Sequence, residues 1–264
     1  MARPGHALTL SGNIPRSFQP WPGQRNKTHG LLITEYQGGG SLPDMAMTSP
    51  LAKIIAKGNY QITLVRGIFQ KGQAIYHAED RFRSLFIVQS GAVKVEKILE
   101  DGTNHVNGFY FHGDLFGLDS IGNVLYNYDA IALDTTRICQ IPYDQLEMLG
   151  SSNPLLQKRI ISLLSGKMHQ INNLLLDSRY LSADKRLLLF LKSLCERNLV
   201  HTRNGKGKIH LPMSKSDIAS YLGIRSESLS RILANLQKQG VIRNRFRHID
   251  INDIHAAMQL ICKP

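Results

Sequence analysis

The segment that most constrains this chain runs from Leu211 to Gly240, where two short helical patterns flank a single glycine. Ser214 can cap the first helix with its hydroxyl, and Asp217 falls in the first turn, where a carboxylate favours the positive end of the helix dipole. Ile218 and Leu222 then recur four apart on one face. Gly223 sits at the tight turn, where a residue without Cβ takes positive φ, and Ile224 can plug the angle between the helices. A second helix starts near Ser226 with the apolar stripe Leu229, Ile232, Leu233 and Leu236, leaving Glu227, Ser230 and Arg231 to point outward. The pattern is that of a helix-turn-helix. A solvated helical hairpin with scattered charge shares its spacing, so charge must decide between them.

A recognition helix presents the side chains of its first turns to the major groove, where base pairs display distinguishable donors and acceptors. Arg231 suits the O6 and N7 of a guanine, Glu227 the amino group of a cytosine, and Ser230 a thymine or adenine edge. Lys215, Ser226 and Ser228 flank them as phosphate contacts. From Val241 to Ile251 apolar and basic residues alternate with period two, the pattern of a small two-stranded wing with Arg243, Arg245 and Arg247 on its polar face for phosphates.

Charge supports this reading. The formal net charge is +12, which favours a polyanionic partner, and residues 201–264 carry eleven Lys and Arg against four Asp and Glu. Residues 51–200 are nearly balanced, so the excess concentrates where the helix-turn-helix lies. No apolar run approaches the roughly 18–20 residues of a membrane span, and the polar, proline-containing start does not resemble a secretory signal. A cytoplasmic protein without membrane contact is expected.

The remaining chain divides by composition. Residues 1–50 combine Pro4, Pro15, Pro20, Pro22, Pro43 and Pro50 with Gly38-Gly39-Gly40 and read as a flexible arm. Residues 51–150 show short β-like runs at 62–65, 74–77, 85–88, 92–98, 105–111 and 131–141, the spacing of a small barrel or jelly roll. Within 151–180, Leu156, Ile160, Leu163, Leu164, Met168, Ile171 and Leu175 recur at three- and four-residue intervals, a stripe suited to a parallel dimer seam, although it could also pack on the barrel. Residues 181–264 complete the winged helix-turn-helix. The expected class is α+β: a roll, a long dimerisation helix and a C-terminal DNA-binding domain. A homodimer would supply the two-fold symmetry with which two such domains read an inverted repeat.

This order resembles the CRP/FNR family of bacterial transcription regulators over about residues 55–260. Strings similar to its FNR branch are Lys71-Gly-Gln-Ala-Ile75, Ser90-Gly-Ala-Val-Lys94, Gly113-Asp-Leu-Phe-Gly-Leu-Asp-Ser-Ile-Gly122, Arg137-Ile-Cys-Gln-Ile-Pro142 and Asp217-Ile-Ala-Ser-Tyr-Leu-Gly223. The most specific is Glu227-Ser-Leu-Ser-Arg231, and the resemblance implies an operator of the TTGAT-N4-ATCAA type. It also implies a cyclic-nucleotide-binding-like roll, and RNA polymerase as a second partner of an activator.

Effector sensing is where the chain departs from the family pattern. Cyclic-nucleotide members carry a ribose-binding glutamate, which falls here near Leu118, and an Arg-Ser or Arg-Thr phosphate pair, which falls near Tyr128-Asp129. A carboxylate there would leave an anionic nucleotide unpaired, so cyclic AMP binding is not expected. Iron–sulfur members need four cysteines, three of them in the N-terminal segment, whereas this chain has only Cys139, Cys195 and Cys262. No cofactor and no metal is therefore expected. Cys139 and Cys195 remain redox candidates, with Cys139 otherwise a buried strand residue. The alternative is a haem- or thiol-dependent gas or redox sensor of the same family, with His77, His105 or His112 as haem ligand. A cupin-type metalloenzyme needs two closely spaced histidines and a glutamate; His77-Ala-Glu79 lacks the second histidine, and no hydrolase elbow or phosphate loop occurs. An enzyme is not expected.

Overall fold

The computed structural model describes residues 65–197, 200–203, 206–245 and 248–251. The arm at 1–50, the strand residues expected at 62–64, Arg247 and Cys262 lie outside them.

Eight strands build the roll: β1 (Val65–Phe69), β2 (Ala74–Tyr76), β3 (Ser84–Ser90), β4 (Ala92–Ile98), β5 (Asn104–Phe111), β6 (Leu115–Phe116), β7 (Asp129–Ala132) and β8 (Thr136–Pro142). They form two antiparallel sheets ordered β1-β8-β3-β6 and β2-β7-β4-β5. Side chains alternate across a strand, so β3 sends Phe86 and Val88 inward and Leu85 and Ile87 to the other face. Both faces are covered, which is why this strand reads as an unbroken apolar run rather than an alternating one. Inside, Tyr76, Phe86, Phe116 and Tyr126 form one aromatic stack, with Tyr76 and Tyr126 centroids 3.9 Å apart. The strand expected over 131–141 is two strands, because Leu133–Thr135 carry the chain from one sheet to the other. Gly91 at the β3–β4 turn has φ +85°, and a Cβ there would meet Thr136 Oγ1 at 2.5 Å.

Two helices follow, α1 (Tyr143–Ser152) and α2 (Pro154–Tyr180), separated at Asn153. Asn153 Oδ1 accepts from the Leu156 N–H at 3.0 Å, and Pro154 opens α2 in its favoured first-turn position. The apolar stripe expected to face a partner divides here. Leu156 is fully buried with Leu85, Ile87, Cys139, Ile141 and Leu146, and Ile160 and Leu163 pack against the same cluster. Leu156 therefore packs on the chain's own roll and is corrected out of the seam, because the start of α2 covers the outer face of β3 and β8, while Ile160 and Leu163 stay half-buried beside it. Ile161, Met168, Ile171 and Leu175 are 44–65% exposed, with Leu164 half-buried between them.

The last domain contains α3 (Ala183–Glu196), β9 (Val200–Arg203), β10 (Lys206–His210), α4 (Lys215–Leu222), α5 (Ser226–Lys238), β11 (Ile242–Arg245) and β12 (His248–Ile251). The wing is not an isolated two-stranded ribbon: β11 and β12 continue into β10 and β9 as one four-stranded sheet. A two-stranded hairpin is marginal in water, and Ile209, Ile242, Ile249 and Ile251 bury one face of the larger sheet under the helices. That core continues into the outer face of the roll through Ala92, Val106, Phe109, Phe111 and Leu133.

Candidate nucleic-acid interface

Ser214 caps α4 as expected: its Oγ accepts the Asp217 N–H at 3.0 Å, and Asp217 Oδ2 accepts the Ser214 N–H at 2.9 Å. This reciprocal pair satisfies donors that would otherwise be orphaned at the first turn. Gly223 ends the helix at φ 64°, inside the left-handed region. Arg186 Nη1 on α3 donates to the Leu222 carbonyl at 2.6 Å, placing a cation at the negative end of α4. Ile218, Ala219 and Leu222 of α4 join Leu229, Leu233 and Leu236 of α5 in one core. The angle between the two helices is thus held by packing on one side and by a glycine turn on the other.

The opposite face of α5 is free of such contacts. Glu227, Ser230 and Arg231 are all exposed, and their three- and four-residue spacing places them side by side. Ser226 is exposed and Ser228 half-buried, with Arg231 Nη2 at 3.5 Å from Ser228 Oγ. At the other end of the helix, Gln237 Oε1 accepts the Asn244 N–H at 3.0 Å and the Val241 N–H donates to the Leu236 carbonyl at 3.0 Å. These bonds tie the β11 strand to α5, so wing and helix form one surface.

On that surface Arg243 and Arg245 are exposed and share a face. Arg245 Nε lies 3.2 Å from Asp250 Oδ2 on the neighbouring strand, whereas Arg243 makes no ion pair among the described residues. Lys215 is exposed at the start of α4. Arg225, passed over in the sequence, stands exposed at the N-cap of α5 and makes no side-chain cap. The first amides of α5 are consequently open to an anion, beside a guanidinium. The signal was present in the sequence as the residue before the second helix, but its cap geometry was not.

The other candidate residues lie away from this surface. Burial pushes the Cys139 thiol up to about 12, and burial followed by the Glu196 charge raises that of Cys195. Both effects oppose the thiolate form on which redox reactivity depends. His77 Nδ1 is 2.9 Å from Asp129 Oδ1, and His112 Nδ1 is 2.6 Å from the Gln89 carbonyl. Among the described residues, no group of three or more His, Cys, Asp or Glu side chains is placed to hold a metal ion. Nor is any helix among them long and apolar enough to cross a membrane.

Comparison with known proteins matches residues 67–153 to the cyclic nucleotide-binding domain and residues 185–258 to the Crp-like helix-turn-helix domain. The fumarate and nitrate reduction regulatory protein of Yersinia pestis is 34% identical over 195 residues, covering 74% of this chain and 78% of that protein. The anaerobic regulatory protein of Pasteurella multocida is 34% identical over 72% of this chain and 70% of its own length. Among solved structures, FixK2 from Bradyrhizobium japonicum superposes with a TM-score of 0.68 at 25% identity, covering 76% of this chain and 98% of that one.

Proposed function

This chain belongs to the CRP/FNR family of transcription regulators, and we propose that it works as a cytoplasmic homodimer reading an inverted repeat of the TTGAT-N4-ATCAA type. It is not an enzyme: its relatives and structural neighbours are regulators of this family. The observation that carries the operator reading is the exposed row Glu227, Ser230 and Arg231 on a helix whose opposite face is locked into the domain core. Lys215, Arg225, Arg243 and Arg245, with the hydroxyls of Ser226 and Ser228, then hold phosphates on either side. Arg247 of the wing belongs with them by its place in the sequence. Contact with RNA polymerase, and activation through it, completes the proposal.

The dimer reading rests on α2. Ile161, Leu164, Met168, Ile171 and Leu175 fall at alternating three- and four-residue intervals, the heptad spacing of a two-stranded seam. Ile171 and Leu175 also line an open groove of about 510 Å³ between β5, α2, α3 and α4, which a second copy's helix would help close.

We read the roll as a scaffold without cyclic AMP. Its interior is packed with its own rings, and the Tyr126 hydroxyl donates to the Ser84 carbonyl at 2.8 Å while accepting from the Ser84 N–H. Asp129, where cyclic-nucleotide relatives carry their phosphate pair, is engaged by His77 and by the Ala78 N–H.

Arg231→Ala is expected to weaken operator binding by about 1–3 kcal/mol per half-site and to relax selectivity at one base pair of each half-site. Fluorescence anisotropy on single-base operator variants reads this, and unchanged selectivity would move base readout off this face of α5. The wing separates differently. Arg243→Ala should weaken binding to all sequences and reduce the salt slope by about one per half-site, and Arg245→Ala by less, since Asp250 already neutralises part of its charge in the free protein. Equal slopes for the two variants would show that the Asp250 pair is irrelevant to binding.

A further inference from the structure

β5 is the edge strand of its sheet, so its outward backbone groups face no neighbouring strand. The Ser220 hydroxyl of α4 fills that place, donating to the Asn104 carbonyl at 2.6 Å and accepting the Val106 N–H at 3.0 Å. A hydroxyl can do both at once. One turn earlier, Asp217 divides its carboxylate between two domains. Its Oδ2 completes the α4 cap with Ser214, and its Oδ1 accepts from Lys94 Nζ of β4 at 2.9 Å. Lys94 Nζ is also 2.8 Å from Glu96 Oε2 in an ion pair, and the three side chains are only 6–14% exposed. Burial opposes both charges, yet their partners outweigh it: Glu96 and then Asp217 hold Lys94 above its ordinary value, and the bonds from Ser214 and then Lys94 hold Asp217 below. Phe109 of the roll, Phe190 of α3 and Tyr221 of α4 pack beside the pair with centroids 5.3–5.9 Å apart.

We propose that Lys94 and Ser220 are positioning residues for DNA recognition: they lock α4 onto the roll edge and so fix the direction in which α5 is presented. The proposal rests on the DNA-binding reading above. Because α4 and α5 share a core, a shift of one carries the other. Glu227, Ser230 and Arg231 face solvent in the locked arrangement, so the lock leaves the reading face open. Neither residue reaches the recognition face. Without the lock each domain keeps its own base preference, but a dimer loses the fixed separation between its two reading helices.

The test uses the full chain as wild type, as Lys94→Ala/Ser220→Ala, and as Ser220→Thr, which retains the hydroxyl. Amide hydrogen exchange is followed at Asn104–Val106. Anisotropy is measured on a single TTGAT half-site and on inverted repeats whose spacer is one base pair shorter, equal or longer than N4. The double variant should exchange faster at Asn104–Val106, bind the half-site within about twofold of wild type, and bind the N4 repeat about tenfold more weakly with a flattened spacer preference. Ser220→Thr should retain the wild-type profile. An unchanged spacer profile, a half-site loss as large as the full-site loss, or tighter binding by the double variant would overturn the proposal. Wild-type protein that ignores every TTGAT duplex overturns the operator reading instead; the exchange arm keeps that separate, since unchanged exchange at Asn104–Val106 in the double variant overturns the lock itself.

Discussion

Met168→Glu combined with Ile171→Glu is expected to convert the protein to a monomer and to cut affinity for the full inverted repeat by about 10²–10⁴-fold, while leaving a single half-site nearly untouched. Both residues are exposed on α2, Met168 at 65% and Ile171 at 44%, and neither belongs to a buried core cluster, so little packing within the chain is lost on making them polar. They occupy successive core positions of the heptad, so in a parallel pair four carboxylates would be forced into one short stretch of seam. The carboxylates would have to be desolvated without a cation, which helices as narrow as these cannot offset. Binding two half-sites through one dimer makes the second contact intramolecular, and that advantage disappears when the subunits separate. Sedimentation velocity and anisotropy read the two effects separately. A variant that remains dimeric would place the interface elsewhere on the molecule.

Phe86→Ala is expected to destabilise the protein by about 3–5 kcal/mol, the usual cost of emptying an aromatic site in a packed core. Phe86 is fully buried and stacks on Tyr76 and Phe116 at centroid distances of 5.3 Å each, with Tyr126 at 6.2 Å. Each neighbour is itself held from several sides: Tyr126 is hydrogen-bonded to the Ser84 backbone, and Phe116 packs against Tyr110. The site cannot collapse readily, which places the substitution toward the upper part of that range. Val124→Ala makes the control, because Val124 is 72% exposed and should change stability by no more than about 0.5 kcal/mol. Urea unfolding of both variants decides it. A Phe86→Ala midpoint equal to that of Val124→Ala would mean that the aromatic stack is not the core that stabilises the roll.

The helix-turn-helix was the most legible part of the chain because its signals are local. Ser214, Asp217 and Gly223 each specify a cap or a turn within a few residues, and the stripe from Leu229 to Leu236 specifies a face. β4 was readable in extent, Ala92–Ile98, although its alternation is broken where the pairing with β5 shifts register between Val95 and Glu96. What the sequence concealed was partnership over distance. Leu156 and Met168 fall in the same periodic stripe, and only the position of the roll decides that the first is buried within the chain and the second is left open. Asp217 carries a strong capping signal that masks its second bond, to a lysine 123 residues earlier. The wing arginines were legible as a polar face; that Asp250, set by strand register opposite Arg243, pairs diagonally with Arg245 was not.

The most direct test of the account is fluorescence anisotropy of the wild-type protein on a TTGAT-N4-ATCAA duplex against a scrambled duplex, in air and anaerobically with thiol reductant, with the absorption spectrum of the same sample recorded. Tight, selective binding in both conditions and no visible chromophore are expected. Binding confined to one condition, or a haem or iron–sulfur band, would contradict it.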